Sequence, residues 1–412
     1  MSKLALLGGK PVTHDLVGNK KLPSRPDLER KYLIEAYDSG VWDDWPGTKS
    51  VAARFQREWA KFCSSRFAAL VTNGTHGIQM ALEALDIGAG DEVIVPGLTW
   101  QATASAVCDV NAVPVLADVD DTLTLDPEKV EAAITRRTRA IIPVHLYHRM
   151  ADMGRILRIA RKHGLHVVED CAHTHGSRWG DQGAGTLGTM GSYSFQRSKP
   201  MTGGEGGSIL MQDEALYWNI LSQRACGREY QGIRMHSGNY RMTSFQSAVL
   251  LGQLAGMRRR APLVDRNGLA MDAAIAASPG VKPLRRHKAI TRQCGYGFAF
   301  LYSPKAFGGL SLADFRSALS AELGRPFMPT YAPLSTGELY TPHLKKRHQI
   351  SKAYLKAITP SRWDLPNAID LWENRAVISP WSIYACPPSR ARYLTDAIAR
   401  IHENHRELLG RS

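Results

Sequence analysis

The chain has 412 residues, of which 44% are hydrophobic and 22% are charged, as in an ordinary globular protein long enough for two domains. No apolar run approaches the roughly 18 residues of a membrane-spanning helix. The apolar run near the N-terminus is too short for a secretory signal. We therefore expect a cytoplasmic protein with no membrane contact. The net charge of +14 comes from short, dispersed basic clusters without a nucleic-acid-reading motif, so we expect no nucleic-acid partner.

Short apolar runs alternate with helical patterns through the first half of the chain. Apolar periodicity predicts helices over 49–62, 78–85, from about 101, over 130–134 and over 153–163. Apolar runs of four or five residues predict strands at 68–72, 92–96, 113–117, 140–144 and 166–170. Such alternation predicts an α/β fold with a mainly parallel central sheet covered by helices on both faces.

The pattern changes near Arg258–Pro262. A long helix is expected to start near Ser244 and a further helical segment to cover 263–279, and shorter mixed segments with more prolines follow. We therefore predict a large domain over 1–262 and a smaller C-terminal α/β domain over 263–412.

Lys199 lies between a serine-rich, strand-like run and a turn with four glycines, in the segment Gly191–Gly207. Surface lysines usually lie among other charges on helix faces. A reactive amine needs backbone packed closely around it, and glycine permits that approach. The position therefore favours a lysine chosen for its reactivity.

Polar groups follow the predicted strands, at the sheet edge where ligands of α/β proteins bind. Asn73-Gly74-Thr75 precedes a helix start, where free N–H groups suit a phosphate, although an ordinary helix cap would use the same residues. Ser194 offers a second hydroxyl to that phosphate. His145 also follows a strand and joins this group of candidates.

Asp170 ends an apolar strand, and a carboxylate there needs a cationic partner or a backbone turn to cap. Trp100 is placed to stack on a planar ring, or else packs in the core. His173 is placed near the same ring, or lies in a plain turn. A phosphate cradle, a stacking aromatic ring, an acid for a ring nitrogen and a lysine for an aldehyde together indicate pyridoxal 5′-phosphate (PLP).

Five segments of the chain resemble the DegT/DnrJ/EryC1/StrS aminotransferases, fold-type I PLP enzymes of aminosugar and aminocyclitol biosynthesis. The resemblance extends from about residue 20 to residue 400, and the block of Lys199 with its glycines is highly specific. The segments are Val71–Thr75, Glu92–Pro96, Glu169–His173, Ser192–Gly207 and Gly238–Arg241.

The resemblance implies a role for each matching residue. Lys199 corresponds to the Schiff-base lysine and proton carrier, Asp170 to the partner of the pyridine nitrogen, and Trp100 to the stacking aromatic residue. The phosphate ligands correspond to Gly74, Thr75 and Ser194. Asn239 matches an asparagine that reaches the phosphate of the neighbouring subunit, which implies a homodimer with shared sites.

The resemblance implies amino-group transfer from an amino acid, with L-glutamine favoured, to a keto-cyclitol or keto-sugar. Two sub-branches compete. The segments 144–153 and 169–176 resemble glutamine-dependent inosose aminotransferases, whereas 173–179 and 201–207 are close to 3-amino-5-hydroxybenzoate synthases, which eliminate water from an amino-cyclohexenone. A non-catalytic PLP-binding regulator is a third alternative.

Some segments depart from the family pattern. His148-Arg149 stands where many relatives have glycine, Pro200 directly follows the lysine, and Gly203 replaces a common Thr or Ser. The segment Trp42–Gly47 matches neither sub-branch. We predict substrate contacts from this segment and from the run after residue 143, or else an ordinary Asp-rich turn in the first case. The candidate residues are Trp42, Asp43, Asp44, His145 and Tyr147.

The six cysteines have no C-x-x-C spacing, as expected of free thiols in a reducing compartment. The closest histidine pairs, His173 with His175 and His163 with His166, lack the H-E-x-x-H frame of a zinc site. We therefore expect no metal site.

Overall fold

The computed structural model describes residues 3–18, 20–45 and 47–409, so Pro46 of the predicted substrate segment lies outside the described residues. Its α-helices are α1 (Pro26–Ser39), α2 (Val51–Cys63), α3 (Gly74–Ala84), α4 (Ala102–Asp109), α5 (Pro127–Ala132), α6 (Met153–His163), α7 (Glu214–Arg224), α8 (Ser244–Ala276), α9 (Leu312–Leu323), α10 (Lys352–Ala357), α11 (Pro366–Asp370) and α12 (Arg392–Asn404).

The strands form one large sheet and two small ones. They are β1 (Phe67–Val71), β2 (Glu92–Pro96), β3 (Val113–Ala117), β4 (Thr138–Ile141), β5 (His166–Asp170), β6 (Arg178–Trp179), β7 (Gln182–Gly183), β8 (Met190–Ser194), β9 (Gly207–Met211), β10 (Val281–Pro283), β11 (Ile290–Arg292), β12 (Gly297–Tyr302) and β13 (Ala376–Pro380).

The large sheet has seven strands in the order β1-β9-β8-β5-β4-β2-β3. Neighbours from β8 to β3 pair in parallel, and β9 alone runs against its two neighbours. Because β9 reverses direction, β1 points the same way as β8 and β5, so their carboxyl ends share one edge. The predicted α/β architecture with a mainly parallel sheet is confirmed.

Several strands and one helix begin and end where they were predicted, because apolar runs mark their bounds. β2, β3, β5 and α6 begin and end at the predicted residues. Four of the five residues of β3 and all of β2 are buried, because separate apolar clusters cover the two faces of the sheet.

Helix α3 begins at Gly74, four residues before the predicted start. The Asn73 side chain accepts a hydrogen bond from the His76 N–H at 2.8 Å and caps the helix. Residues 74–77 carry no apolar periodicity, so their helical state depends on the cap and on packing. The early start brings the N-terminal turn of α3 to the sheet edge.

Helix α8 is continuous over 33 residues and contains Pro262. The change of pattern that predicted a boundary between residues 262 and 263 therefore falls inside a helix. Residues after α8 build a separate three-stranded sheet, β10-β12-β13. Ala5 and Val12 near the N-terminus donate backbone hydrogen bonds to the buried Glu322 of α9, at 2.8 and 3.1 Å. The division at 262 remains a prediction.

The dispersed basic clusters are largely paired with carboxylates. Arg258 lies 2.6 Å from Glu58, Arg286 lies 2.8 Å from Asp265, and three further ion pairs join Arg137 to Glu92, Arg285 to Asp120 and Arg347 to Asp109. Across the described segments, α8 included, no helix combines the length and apolarity needed to cross a membrane.

The three consecutive arginines Arg258, Arg259 and Arg260 differ in their exposure to solvent. Arg258 and Arg259 are exposed, whereas Arg260 is buried. The Arg260 guanidinium donates to the Pro200 carbonyl at 2.5 Å and to the Pro23 carbonyl at 3.0 Å. Arg260 therefore connects α8 to Pro200, the residue that directly follows Lys199.

Replacing Arg260 with Met is expected to lower the free energy of unfolding by roughly 2–3 kcal/mol, because the buried Pro200 carbonyl and the half-buried Pro23 carbonyl lose their donor. The matched control is Arg259→Met, at the exposed neighbouring position of the same helix. Urea denaturation of both variants measures the difference. Equal losses in the two variants would show that the buried contacts contribute nothing specific.

Candidate active site

A cavity of about 650 Å³ opens at the edge where β1, β2, β5 and β8 end. It brings together residues that lie far apart in the sequence. Most of the predicted cofactor residues line it: Gly74, Thr75, Trp100, Asp170, His173, Ser194 and Lys199. Asn239 does not; it is exposed and belongs to a bridge with Ala225.

The N-terminal turn of α3 forms one end of the cavity. The Asn73 side chain accepts a hydrogen bond from the His76 N–H, and the Asn73 backbone carbonyl accepts one from the Gly77 N–H. Within the described residues, the N–H groups of Gly74 and Thr75 have no protein acceptor. Free N–H groups and the positive end of a helix dipole make this turn a site for an anion.

Close packing explains why residue 74 is glycine. A Cβ atom at this position would lie 3.0 Å from Cβ of Ser194 and 3.3 Å from the Tyr193 carbonyl oxygen. Gly207 has a similar role, since a Cβ there would lie 2.5 Å from the carbonyl carbon of Asn73. Two glycines therefore let the α3 turn and the ends of β8 and β9 meet around one small volume.

Asp170 lies at the end of β5 and is only 8% exposed. Its carboxylate accepts from the Thr103 hydroxyl at 2.9 Å and from the Ala172 N–H at 3.1 Å. These bonds hold the charged group at the cavity wall, where it suits a cationic ring nitrogen. Thr103 was not predicted as a site residue, because a threonine in the first turn of α4 carries no distinctive signal.

The Lys199 amine lies over the ring of Tyr296, with Nζ 4.4 Å from the ring centre. Burial disfavours the ammonium form and lowers the pKa of Lys199 to about 8, although the charge of Asp170 partly offsets this effect. Among the described residues, Nζ forms no ion pair within 4 Å. The amine is therefore available, and partly neutral, near neutral pH.

His173 stacks on Tyr296, with ring centres 4.3 Å apart. Its Nδ1 accepts the Tyr147 N–H at 3.1 Å, so the proton of the neutral ring resides on Nε2. Burial, together with the nearby charge of Lys199, holds the pKa of His173 well below its usual value. His173 therefore faces the cavity as a neutral hydrogen-bond donor.

Aromatic residues from distant segments complete the wall. Trp100 is 46% exposed, and its ring centre lies 5.7 Å from that of Tyr331. Tyr296 and Tyr331 both come from the chain after α8. Neither has a local motif, so only the folded chain reveals them as site residues.

His145 lies outside the cavity and is fully buried. Its Nε2 donates to Glu169 at 2.9 Å and its Nδ1 accepts the Ala151 N–H at 3.2 Å. Glu169 also accepts three backbone N–H groups, from residues 185, 187 and 188. Although His145, Glu169 and Cys171 lie close enough to share a metal ion, the histidine and carboxylate atoms are already satisfied by the protein. His145 therefore makes structural bonds within the chain and does not line the cavity, and its substrate contact stays a prediction.

Trp42, Asp43 and Asp44 do not line the cavity at Lys199 and have partners within the chain. Asp44 is buried in an ion pair with Arg224, and Asp43 accepts the Trp45 N–H at 3.2 Å. Trp42 packs against Phe245, with ring centres 5.4 Å apart. The aspartates of this segment therefore make structural bonds within the chain, and none of the three residues lines its cavity.

Tyr147 is buried beside the cavity wall. Its hydroxyl bonds to Thr330 at 3.0 Å and accepts the Tyr331 N–H at 3.1 Å. The departure at His148-Arg149 has a clear basis: Arg149 is buried, 2.7 Å from Asp272 of α8 and bonded to the Leu284 carbonyl. A glycine at position 149 would lose this connection.

The residues of the cavity fit a flat, phosphate-bearing aromatic aldehyde. The N–H groups of the α3 turn suit a phosphate, the Asp170 carboxylate suits a protonated ring nitrogen, and the Trp100 ring offers a face for stacking. The Lys199 amine matches the aldehyde. PLP has all four features.

Comparison with known proteins agrees with this geometry. Residues 25–359 match the DegT/DnrJ/EryC1/StrS aminotransferase family. The L-glutamine:2-deoxy-scyllo-inosose aminotransferase of Streptomyces kanamyceticus is 37% identical, with 89% of each chain covered. The L-glutamine:scyllo-inosose aminotransferase of Streptomyces griseus is 36% identical, with 99% of each chain covered.

Solved structures share the fold. The 3-amino-5-hydroxybenzoic acid synthase structure superposes with a TM-score of 0.77 at 28% identity, covering 93% of this chain and 99% of that chain. DesI in the presence of its TDP-sugar product gives a TM-score of 0.79 at 26% identity, covering 99% and 98%. The predicted fold-type I architecture is thereby confirmed, and the chain belongs to the DegT/DnrJ/EryC1/StrS aminotransferase family.

Proposed function

We propose that this aminotransferase binds PLP at the α3 turn and transfers the amino group of L-glutamine to a keto-cyclitol. The observation that carries the proposal is the convergence of Lys199, Asp170 and the α3 N-terminus on one cavity. Two inosose aminotransferases at 36–37% identity support the choice of substrates. The donor leaves as a 2-oxo acid and the ketone becomes an amine.

When bound, PLP supplies an aldehyde for amine exchange and a ring that takes up electrons. In this proposal Asp170, held by Thr103, keeps the ring nitrogen protonated. Lys199 would hold the aldehyde of the cofactor, and its amine in the neutral form would take up and return the proton at the substrate carbon. A lowered pKa favours that role, because an ammonium group cannot accept a proton.

We further propose a homodimer in the cytoplasm. Asn239 is exposed and does not line the cavity at Lys199, as expected if it reaches the phosphate of a second copy. Exposed apolar side chains at Ile34, Tyr37 and Trp42 offer a surface for that copy. The six cysteines are free, which suits a reducing compartment.

A second function, dehydration of an amino-cyclohexenone, is favoured by one observation. The structure of 3-amino-5-hydroxybenzoic acid synthase is 28% identical to this chain over almost its whole length. Both reactions use the same lysine to move a proton. The identity of the acceptor substrate therefore distinguishes amino-group transfer from dehydration.

Reconstitution with PLP is expected to produce a visible absorbance band in the wild-type protein, and Lys199→Ala is expected to abolish it. Lys305→Ala, at an exposed lysine far from the cavity, serves as the control and retains the band. Amino-group transfer in Lys199→Ala should fall by roughly 10³-fold or more, because the proton carrier is lost. A colourless wild-type protein would overturn the proposal.

The same preparation identifies the substrates. L-glutamine is expected to bleach the band, and scyllo-inosose or 2-deoxy-scyllo-inosose is expected to restore it. An amino-cyclohexenone is the competing acceptor, and loss of water from it would favour the second function. Restoration only by a nucleotide-linked keto-sugar would contradict the keto-cyclitol assignment.

The Lys199 amine of the cofactor-free protein is expected to react with trinitrobenzenesulfonate with a half-maximal rate near pH 8, since its pKa is lowered to about 8. Asp170→Asn removes the charge that raises this pKa, so the midpoint should move to lower pH. Peptide mass spectrometry measures the modification. A midpoint near 10.4, the usual value for an exposed lysine, would contradict the burial argument.

A further inference from the structure

A second cavity of about 380 Å³ adjoins the one at Lys199, and we call it the side chamber. Ser198, Tyr296 and Tyr331 line both cavities and form the boundary between them. The remaining wall is formed by Tyr147 and by residues that follow α8 in the chain. The latter are Gly297, Met328, Pro329, Ile378, Ser379, Pro380 and Trp381.

The side chamber and the main cavity differ in charge. Lys199, Asp170 and Glu205 line the main cavity, whereas the residues that line the side chamber include no acidic or basic side chain. Proline, aliphatic and aromatic side chains dominate its wall. A charged ligand group would therefore lose its hydration there without gaining a partner.

Few hydroxyl groups of the side chamber are free. Tyr147 is bonded to Thr330, and Ser379 donates to the Pro326 carbonyl at 3.2 Å. The hydroxyls of Ser198 and Tyr296 bond to each other at 3.1 Å, on the boundary with the main cavity. The Ser198 hydroxyl also donates to the Gln196 side chain at 2.7 Å, so these two hydroxyls offer a ligand their oxygen lone pairs at the boundary. Apolar contact is available beyond the boundary.

We propose that the side chamber is the acceptor subsite, which binds the ring of an uncharged cyclic ketone, while the charged groups of the amino-acid donor stay in the main cavity. The inference rests on the proposed function and adds to it a place for each of the two substrates. This division of the substrates explains how Lys199 can act on an amino acid in one half-reaction and on a cyclic ketone in the other.

The position of the Lys199 amine supports this division. Nζ lies over the face of Tyr296, a boundary residue, so the reacting carbon of either substrate is held beside that boundary. A donor carries a carboxylate that needs hydrogen-bond donors or a positive charge. The ring of a cyclic ketone has no charge, and its C–H face packs well against aromatic rings such as Trp381. The hydroxyls of a keto-cyclitol also need hydrogen-bond partners, which places them toward the boundary residues rather than the apolar wall.

The test fills the side chamber. Met328 is 41% exposed at its wall, so Met328→Trp occupies the space without disturbing the core. The matched control is Leu269→Trp on the surface of α8, where the side chain is 47% exposed. Both variants are studied as PLP-loaded enzyme, with L-glutamine as donor and scyllo-inosose as the acceptor probe.

Met328→Trp is expected to raise KM for scyllo-inosose by about tenfold or more and to change KM for L-glutamine by less than about twofold. Leu269→Trp is expected to change neither. Trp381→Leu, which removes a ring face and leaves the space open, is expected to raise the acceptor KM as well. Equal effects on donor and acceptor, or no effect on either, would overturn the proposal.

A binding measurement keeps this test separate from catalysis. The PLP form cannot aminate a ketone, so saturation-transfer NMR reports scyllo-inosose binding without turnover. Signal from the ring protons should be present with the wild-type and Leu269→Trp enzymes and lost with Met328→Trp. A signal that survives in Met328→Trp, or is absent from the wild-type enzyme, overturns the subsite. If instead L-glutamine fails to bleach the loaded enzyme, the proposed function itself fails.

Discussion

The close approach of the α3 turn to the end of β8 is the contact on which the site depends. Gly74 allows it, because a side chain there would meet Ser194 and the backbone of β8. The approach brings unpaired N–H groups next to the strand that leads to Lys199. On the other side of β8 lies β5, which ends in Asp170. An anion site, a carboxylate and an amine thereby share one sheet edge.

The strands and helices of residues 49–170 and the candidate reactive residues were largely predictable from sequence, because local patterns encode them. The apolar runs of β2, β3 and β5 gave exact bounds. Lys199 was identifiable from its glycine-rich neighbours, and Asp170 from its place at a strand end. Each of these signals lies within a few consecutive residues.

Other parts of the site depend on long-range packing and leave no local pattern. Tyr296 and Tyr331 reach the cavity from beyond α8, and Thr103 acts only through its bond to Asp170. His145 and Asp44 looked like ligand-binding residues, yet both satisfy buried partners within the chain. A polar residue after a strand has two possible roles, and only the three-dimensional contacts distinguish them.

The unbroken course of α8 has a consequence for how the enzyme handles its substrates. At 1.5 Å per residue, 33 residues span about 50 Å, so one helix passes through the point where the sequence predicts a domain boundary. Arg260 and Asp272 of this helix connect it to Pro200 and to Arg149. Closing over a ligand by rotating the residues after α8 against the large sheet would therefore require this helix to bend, and Pro262, which lacks a backbone N–H, lies at the predicted boundary.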